Sequence, residues 1–384
     1  MHLGIDASNL KMGGGVTHLS RILHAADPLT CGIDKVTVWA CQTTIESLPT
    51  YSWLEAKQSR WLEAGLFARL VAQQLRLPKE LLESGCDVLF SPGGTLPRKI
   101  CIPTITMSQN MLPFESEEVA RFGIPSAMWL KMKLLRLSQG RSFENADGLI
   151  FLTRYAQQAI QAKLHGCCVN TDLVPHGIEP RFCSEPRSQR SIDDCDSENP
   201  FRLLYVSIVM PYKHQVSVAR AVSQLRTDGF PVEIQFIGAP WGNYGEKFKA
   251  ELAALDPESK FLKWQGSKPY ETLHESYGTT DAFVFASSCE NLPNILLEAM
   301  GAGLPIASSD CGPMSEVLED AGVYFDPESP DSIAATLVTL MESTDLRAEL
   351  ATKAYGKAKR YSWEQCAQKT FQFIANTADN KLSK

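Results

Sequence analysis

The sequence predicts an α/β protein with two domains, each built around a parallel sheet. Short apolar runs typical of strands alternate with helical segments along most of the 384 residues. Alternation of this kind is typical of parallel sheets flanked by helices. It stops in a polar stretch at Ser184–Pro200 and then starts again. A chain of this length can form two domains that each bury a core.

The first half contains five predicted strands and two predicted helices. The helices are expected at Val16–Ala26 and Ala156–Leu164. The strands are expected at Leu3–Ala7, Val36–Ala40, Val88–Phe90, Thr104–Met107 and Leu149–Thr153. We predict a first domain over residues 1–183, followed by a linker or loop over residues 184–200, because that stretch has almost no apolar side chains.

The second half repeats the pattern and predicts a domain over residues 201–360. Helices begin near Gln215 and Gly245. At Ser362–Gln365 the spacing of a capping box predicts a last helix through about Thr377, within a C-terminal segment 361–384. Strands are expected at Arg202–Val206, Val232–Ile237, Phe261–Trp264, Asp281–Ala286 and Pro305–Ala307.

Composition excludes several classes of protein. The formal net charge of −7 argues against a general nucleic-acid binder. The 11 cysteines are odd in number, and the adjacent Cys167 and Cys168 suit neither a zinc site nor an easy disulfide, so we expect reduced thiols and no metal. The chain enters a strand directly after Met1 and has no apolar run of membrane-spanning length. These features predict a cytoplasmic protein.

Two carboxylates in one strand–loop–helix segment carry most of the functional information. Glu290 lies in the loop that follows the strand Asp281–Ala286, and Glu298 lies in a helix predicted at Asn294–Ala302, with Pro293 as its first residue. That helix is otherwise apolar, so Glu298 is expected to be partly desolvated and to accept hydrogen bonds. The free N–H groups at the helix start favour a phosphate. The alternative is that Glu298 pairs with a nearby Lys or Arg and that Glu290 caps the loop.

The spacing of these residues resembles the retaining glycosyltransferase family four, in which two glutamates separated by seven residues precede a Met-x-x-Gly-x-Pro segment. The resemblance covers nearly the whole chain and implies the GT-B architecture: two Rossmann-like domains facing across a cleft, with a C-terminal helix that crosses back to the N-terminal domain. It rests on Glu290, Glu298, Met300, Gly303, Pro305, Gly312–Pro313, Glu316–Val317, Asp320–Gly322, Phe325–Pro327, Val174–Glu179 and Gly13–Gly15.

The resemblance also implies roles for individual residues toward a nucleoside-diphosphate sugar. Glu298 would accept both ribose hydroxyls, Glu290 would hold hydroxyls of the transferred sugar, and Lys213 would bind the diphosphate. Further donor-binding residues are expected at Asn291, Leu292, Asn294, Gly14, Gly15, Gly266 and Tyr270.

Three departures from the family pattern fall within the expected site. Ile208 stands where the family has a phosphate-binding Arg, and backbone amides, His214 or another Arg are alternative replacements. The loop after Glu290 reads Asn-Leu-Pro instead of Gly-Phe-Gly. Gln109 and Asn110 replace a His-Asp pair and are expected to bind the acceptor, with turn-capping amides as the alternative. A plain tight turn is the alternative for Gly13–Gly15.

These observations predict a retaining, metal-independent glycosyltransferase without a cofactor, which adds sugar to a glycan or polyprenyl-linked glycan of a surface polysaccharide. A degenerate non-catalytic subunit is one alternative, and a sugar-nucleotide isomerase or hydrolase is another. The basic segment Arg121–Arg141 contains no acidic residue and could lie on an anionic membrane through an apolar face that includes Met128 and Met132. The alternative is a packed domain helix with a basic outer face.

Overall fold

A computed structural model describes residues 1–11, 13–59, 61–63, 65–164 and 170–382. Cys167 and Cys168, predicted to be reduced thiols, lie outside the described residues. The chain forms two compact units. The first comprises Met1–Phe114, Pro125–Gly177 and Ser362–Lys384, and the second comprises Glu115–Ile124 and Ile178–Tyr361.

The first unit contains a parallel sheet of seven strands in the order β3-β2-β1-β4-β5-β6-β7. Its inner strands are buried on both faces, which explains their nearly continuous apolar sequences. The strands are β1 (His2–Asp6), β2 (Lys35–Trp39), β3 (Leu54–Lys57), β4 (Val88–Ser91), β5 (Thr104–Met107), β6 (Gly148–Phe151) and β7 (Asn170–Leu173).

The second unit contains a parallel sheet of six strands in the order β10-β9-β8-β11-β12-β13. In each sheet the first strand along the chain, β1 or β8, lies in the interior, and the later strands are added on both sides of it. Both units therefore have a doubly wound topology. The strands are β8 (Phe201–Val206), β9 (Val232–Ile237), β10 (Leu262–Trp264), β11 (Ala282–Phe285), β12 (Ile306–Ser309) and β13 (Val323–Phe325).

Helices connect the strands of both sheets. Short 3-10 turns lie at Pro28–Cys31, Leu112–Phe114, Pro180–Phe182, Ile192–Asp194 and Pro211–Lys213. The α-helices are α1 (Gly14–Ala25), α2 (Gln42–Ile45), α3 (Leu66–Leu75), α4 (Leu77–Glu83), α5 (Ser116–Ala120), α6 (Ala127–Asn145), α7 (Arg154–Gln161), α8 (Gln215–Thr227), α9 (Tyr244–Leu255), α10 (Tyr270–Gly278), α11 (Asn294–Gly301), α12 (Met314–Leu318), α13 (Pro330–Glu342), α14 (Thr344–Ala358) and α15 (Trp363–Leu382).

The last helix belongs to the first unit, although it follows the second unit in sequence. The α15 helix packs against α1 and β6, and Ser362 caps its start by accepting a hydrogen bond from the Gln365 N–H at 3.1 Å. Gly177 permits this return because a Cβ atom there would lie 2.2 Å from the backbone nitrogen of Trp363. The helix extends to Leu382, five residues beyond the predicted end.

Two segments differ from the predicted domain boundaries. The sequence predicts Glu115–Ile124 and Ile178–Cys183 in the first domain, but both segments lie in the second unit. The predicted linker, residues 184–200, is held on the second unit by its arginines. Arg190 forms a two-pronged ion pair with Asp281, at 3.0 and 2.6 Å, and Arg187 donates to the carbonyl oxygen of Gly278.

Candidate active site

Lys213 and Glu290 form an ion pair at the carboxyl end of the second sheet. Lys213 ends a 3-10 turn that follows β8, and Glu290 lies in the loop after the neighbouring strand β11. Their side chains are 9% and 17% exposed, and the Lys213 ammonium donates to Glu290 Oε1. The hydroxyl of Tyr205 donates to the Lys213 carbonyl oxygen and fixes this turn. The structure therefore brings together the two residues predicted to act on the leaving group and the sugar.

His214 connects the Lys213 turn to the loop that carries Glu290. Its backbone has a φ of 49°, a left-handed conformation that few residues other than glycine adopt, and it is the capping residue immediately before α8. Its Nε2 atom lies 2.9 Å from the Ser288 hydroxyl. Burial, followed by the nearby Arg121 guanidinium, lowers the pKa of His214. His214 is therefore a neutral hydrogen-bonding group at neutral pH and adds no positive charge beside Lys213.

Glu298 is a buried carboxylate held by two tyrosines. It is 4% exposed on α11 and accepts hydrogen bonds from the hydroxyls of Tyr270, at 3.1 Å, and Tyr277, at 3.0 Å. Burial raises the pKa of Glu298 to about 7, against the lowering effect of the two tyrosine hydrogen bonds. The predicted desolvation is thus present, and the partners of Glu298 are hydroxyl groups.

Tyr277 was missed from the sequence, although its position carried a signal. It lies two helical turns after Tyr270 on α10, so both rings share one face of that helix. Beside them, Arg181 lies over the Tyr270 ring at 4.5 Å and pairs with Glu179 at 2.8 Å. Two phenols therefore hold the Glu298 carboxylate, and a pair of a guanidinium and a second carboxylate lies beside them.

The remaining donor residues of the second unit lie in two loops. Asn291 and Leu292 are buried and Asn294 is partly buried, just before and at the start of α11. Pro293 takes the capping position instead of the predicted first helical position, because its ψ of 93° is extended. Gly266 follows β10 and accepts a hydrogen bond from the Gly238 N–H at 2.7 Å, which joins the loop after β10 to the loop after β9.

Ile208 occupies the position where a cationic phosphate ligand was expected. Its side chain is 39% exposed and carries no charge that could bind a phosphate. Gln215 donates to its carbonyl oxygen at 3.0 Å.

Four further predicted residues lie in the first unit. Gly14 begins α1 with open space around its Cα, whereas a Cβ on Gly15 would lie 3.2 Å from Gln109 Oε1. The Gln109 amide donates to the Met107 sulfur at 3.1 Å. Asn110 Oδ1 accepts from the Leu112 N–H at 3.1 Å, as expected for the turn-capping alternative. Gly15 and Gln109 are therefore neighbours, and Asn110 also stabilises its own loop.

The basic segment 121–141 is not one continuous helix. Arg121 lies in the second unit, paired with Glu118 and Glu328, and α6 begins only at Ala127. Met132, predicted on the apolar contact face, is 4% exposed and so packs inward. The exposed apolar side chains of α6 are instead Leu130, Leu134 and Leu137, at 54%, 59% and 58% exposure. Among the described helices, none has the length and apolar character needed to cross a membrane.

Residues 192–357, within the second unit, match the family described as glycosyl transferases group 1. We refer to the matched residues, 192–357, as the group 1 domain. The group 1 domain contains Lys213, Glu290 and Glu298, together with the strands β8 and β11 that precede the first two.

Several named relatives of this chain are sugar transferases. The chain is 31% identical to O-antigen chain mannosyltransferase B of Escherichia coli over 31% of this chain and 32% of that protein. It is 20% identical to sulfoquinovosyl transferase SQD2 of Arabidopsis thaliana over 80% and 59% of the two chains. It is 26% identical to the amylovoran biosynthesis glycosyltransferase AmsK of Erwinia amylovora over 71% and 73%. The chain thus spans less than two thirds of the length of the first two relatives.

Solved structures match the group 1 domain together with the first unit. Sucrose-phosphate synthase from Thermosynechococcus elongatus has a TM-score of 0.78 at 14% identity, over 98% of both chains. Anabaena HepE in complex with UDP-glucose has a TM-score of 0.69 at 16% identity, over 100% of both chains. These likenesses confirm the GT-B fold that the sequence predicted.

Proposed function

We propose that this protein transfers a sugar from a nucleoside-diphosphate sugar to a glycan acceptor in the synthesis of a surface polysaccharide. The observation that carries the proposal is the Lys213–Glu290 ion pair at the carboxyl end of the second sheet. The buried Glu298 follows Glu290 at the spacing that the family resemblance implies. The names of the Escherichia coli and Erwinia amylovora relatives support the polysaccharide pathway. Transfer proceeds with retention of configuration at the anomeric carbon and without a metal ion.

Three residues of the group 1 domain, Lys213, Glu290 and Glu298, each have a distinct task in this reaction. Glu298 accepts the hydrogen bonds of the two ribose hydroxyls when it is ionised. Lys213 neutralises the negative charge that develops on the departing diphosphate, and its partial burial strengthens that interaction. Glu290 holds the ammonium of Lys213 in place and orients hydroxyls of the transferred sugar.

Proton transfer in this proposal needs no protein base. The bond between the anomeric carbon and the phosphate oxygen breaks, and the acceptor hydroxyl oxygen forms the new glycosidic bond on the same face. The departing phosphate oxygen takes the acceptor proton. Gln109 and Asn110 contribute hydrogen bonds to the acceptor. They do not take its proton, because a carboxamide cannot act as a general base at neutral pH.

Calorimetric titration with UDP, GDP, ADP and dTDP tests the donor site, and UDP is the first choice because HepE was solved with UDP-glucose. We expect saturable binding of one nucleotide, with equal affinity with and without Mg²⁺. Glu298→Ala should weaken binding by at least tenfold, whereas Glu271→Ala, an exposed change on α10, should not. Lys213→Ala should mainly lower kcat. Wild-type kinetics in both site variants would show that the site is assigned wrongly.

A non-catalytic subunit that binds a glycan or a partner enzyme is a second candidate, because the exposed Ile208 removes a cation expected for catalysis. The two readings differ in turnover. A protein that binds a nucleotide and releases no nucleoside diphosphate from any sugar donor, with a range of glycan acceptors present, would favour the subunit.

We also propose that α6 brings the enzyme to an anionic membrane that holds a lipid-linked acceptor. Leu130, Leu134 and Leu137 are spaced four and three residues apart, so they share one face of the helix. Lys133 and Arg141 are exposed beside this stripe and fit a surface of acidic lipids.

Sedimentation with vesicles tests this contact. We expect binding to phosphatidylglycerol vesicles and much weaker binding to phosphatidylcholine vesicles. Leu134→Ser combined with Leu137→Ser should reduce binding at least fivefold, whereas Leu82→Ser, an 80% exposed leucine on α4, should not. Equal binding by all variants would refute a role for α6.

A further inference from the structure

The segment Glu115–Ile124 places a carboxylate next to the loop that carries Glu290. It precedes α6 in sequence but belongs to the second unit. Glu118 on this segment is 9% exposed, and its Oε2 atom accepts a hydrogen bond from the Ser288 hydroxyl at 2.8 Å. Ser288 lies two residues before Glu290.

Ser288 also contacts the turn that carries Lys213. Its hydroxyl oxygen lies 2.9 Å from His214 Nε2, and its backbone N–H donates to the Tyr212 carbonyl oxygen at 2.9 Å. One hydroxyl group can donate to a carboxylate and accept from an imidazole at the same time. The arrangement therefore fixes His214 with its proton on Nε2.

The partners of Glu118 hold its carboxylate in one orientation. Arg121 donates to Glu118 Oε2 at 2.7 Å and also pairs with Glu328. Phe122 anchors the segment against the second unit, with ring centroids 6.2 Å from Tyr212 and 5.0 Å from Trp241. The charged groups that face His214 are thus Arg121, Glu118, Glu328 and Asp326.

We propose that Glu118 and Ser288 are positioning residues, which lock the Lys213 turn and the Glu290 loop together through His214. The left-handed backbone of His214 is a strained conformation that needs such an external constraint. In this proposal Glu118 and Ser288 act through the Lys213 turn and the Glu290 loop, and not by contact with the donor or the acceptor. When these contacts are lost, the Lys213 ammonium moves and the affinity for the diphosphate group falls. The contact of Glu298 with the ribose is kept. This inference rests on the proposed function of the site.

The test compares the affinities for a nucleoside diphosphate and the matching monophosphate, UDP and UMP if uridine is the base. Both ligands share the ribose, and the diphosphate adds the group that Lys213 holds. Ser288→Ala and Glu118→Ala should reduce the ratio of the two affinities about fivefold and lower kcat about tenfold. Ser288→Thr, which keeps the hydroxyl, and Glu117→Ala, an exposed neighbour on α5, should retain at least half of the wild-type ratio.

A second readout does not depend on activity. In protein labelled with ¹⁵N-histidine, the seven histidines can be resolved and His214 assigned by its loss in His214→Gln. We expect His214 to carry its proton on Nε2 in the wild type and in Ser288→Thr, and to lose this preference in Ser288→Ala. Either an unchanged tautomer or an unchanged affinity ratio in Ser288→Ala would overturn the inference.

The two readouts separate failure of this inference from failure of the proposed function. If the protein binds no nucleotide but the His214 tautomer depends on Ser288, the proposed function is wrong and the structural role of Ser288 at His214 is supported. If Ser288→Ala binds the nucleoside diphosphate and monophosphate with the wild-type ratio of affinities, the proposed function stands and the positioning role of Ser288 is wrong. If Glu118→Ala does not fold, the Ser288 pair alone decides.

Discussion

Removal of the charge on Glu298 should make the stability of this protein less sensitive to a rise in pH from 5 to 8. The pKa of the buried carboxyl rises from the ordinary 4.5 to about 7 in the folded chain. Because the folded pKa lies above the unfolded one, the contribution of Glu298 to stability is complete only below pH 4.5. It is lost as the pH rises toward 7 and above. Glu298→Gln is neutral throughout and can still hydrogen-bond to both tyrosine hydroxyls.

The size of the effect follows from the shift. One pKa unit corresponds to about 1.4 kcal/mol, so a rise from 4.5 to about 7 is worth about 3 kcal/mol. Most of this change falls between pH 5 and pH 8. We therefore expect the free energy of unfolding of Glu298→Gln, relative to the wild type, to increase by roughly 2 to 3 kcal/mol between these two pH values.

Urea unfolding, followed by tryptophan fluorescence at several pH values from 5 to 8, measures the difference. Trp241 and Trp264 report on the second unit. The matched control is Glu271→Gln, on the exposed side of the neighbouring helix α10, whose profile should run parallel to that of the wild type. A parallel profile for Glu298→Gln, or a relative loss of stability at high pH, would refute the reasoning.

Three further outcomes are expected. Burial and the nearby His176 hold the pKa of His18 well below its usual range, so its contribution to stability is present above pH 6.5 and lost as the pH falls. His18→Phe should therefore flatten the decline in melting temperature between pH 7 and pH 5. Gly177→Ala should cost about 1 to 3 kcal/mol in urea unfolding, because its Cβ would lie 2.2 Å from Trp363 N, whereas Gly278→Ala meets no such contact. Arg347→Lys should lower the melting temperature, because one ammonium cannot reach the carbonyl oxygens of Leu340, Met341 and Arg190 together; an unchanged melting curve would contradict this.

Local patterns predicted the inner strands of both sheets because burial on both faces produces a continuous apolar sequence. Thr104–Met107 and Val232–Ile237 have the predicted bounds. The edge strand Leu54–Lys57 was missed, since LEAK carries two charges and has no apolar run. The loop over residues 184–200 reads as a free linker from composition alone. Its order comes from Arg190 and Arg187, whose partners Asp281 and Gly278 lie far away in sequence.

The same limit applies to the candidate site. Glu290 was predicted from its place after a strand, and Lys213 from the family resemblance. The two side chains meet because neighbouring parallel strands bring their carboxyl ends to one edge of a sheet. Glu118 could not be found in this way. It is 170 residues from Ser288, and nothing in the sequence ESEEVARF indicates that it joins the second unit.

The interleaved composition of the two units affects any attempt to change specificity by domain exchange. A single crossover near residue 178 would take the second unit from one parent and leave Glu115–Ile124 with the other. Glu118 would then face a foreign residue in place of Ser288, and α15 would pack on a foreign α1. A chimera that respects the fold must move Glu115–Ile124 with Ile178–Tyr361 and return to the first parent at Ser362.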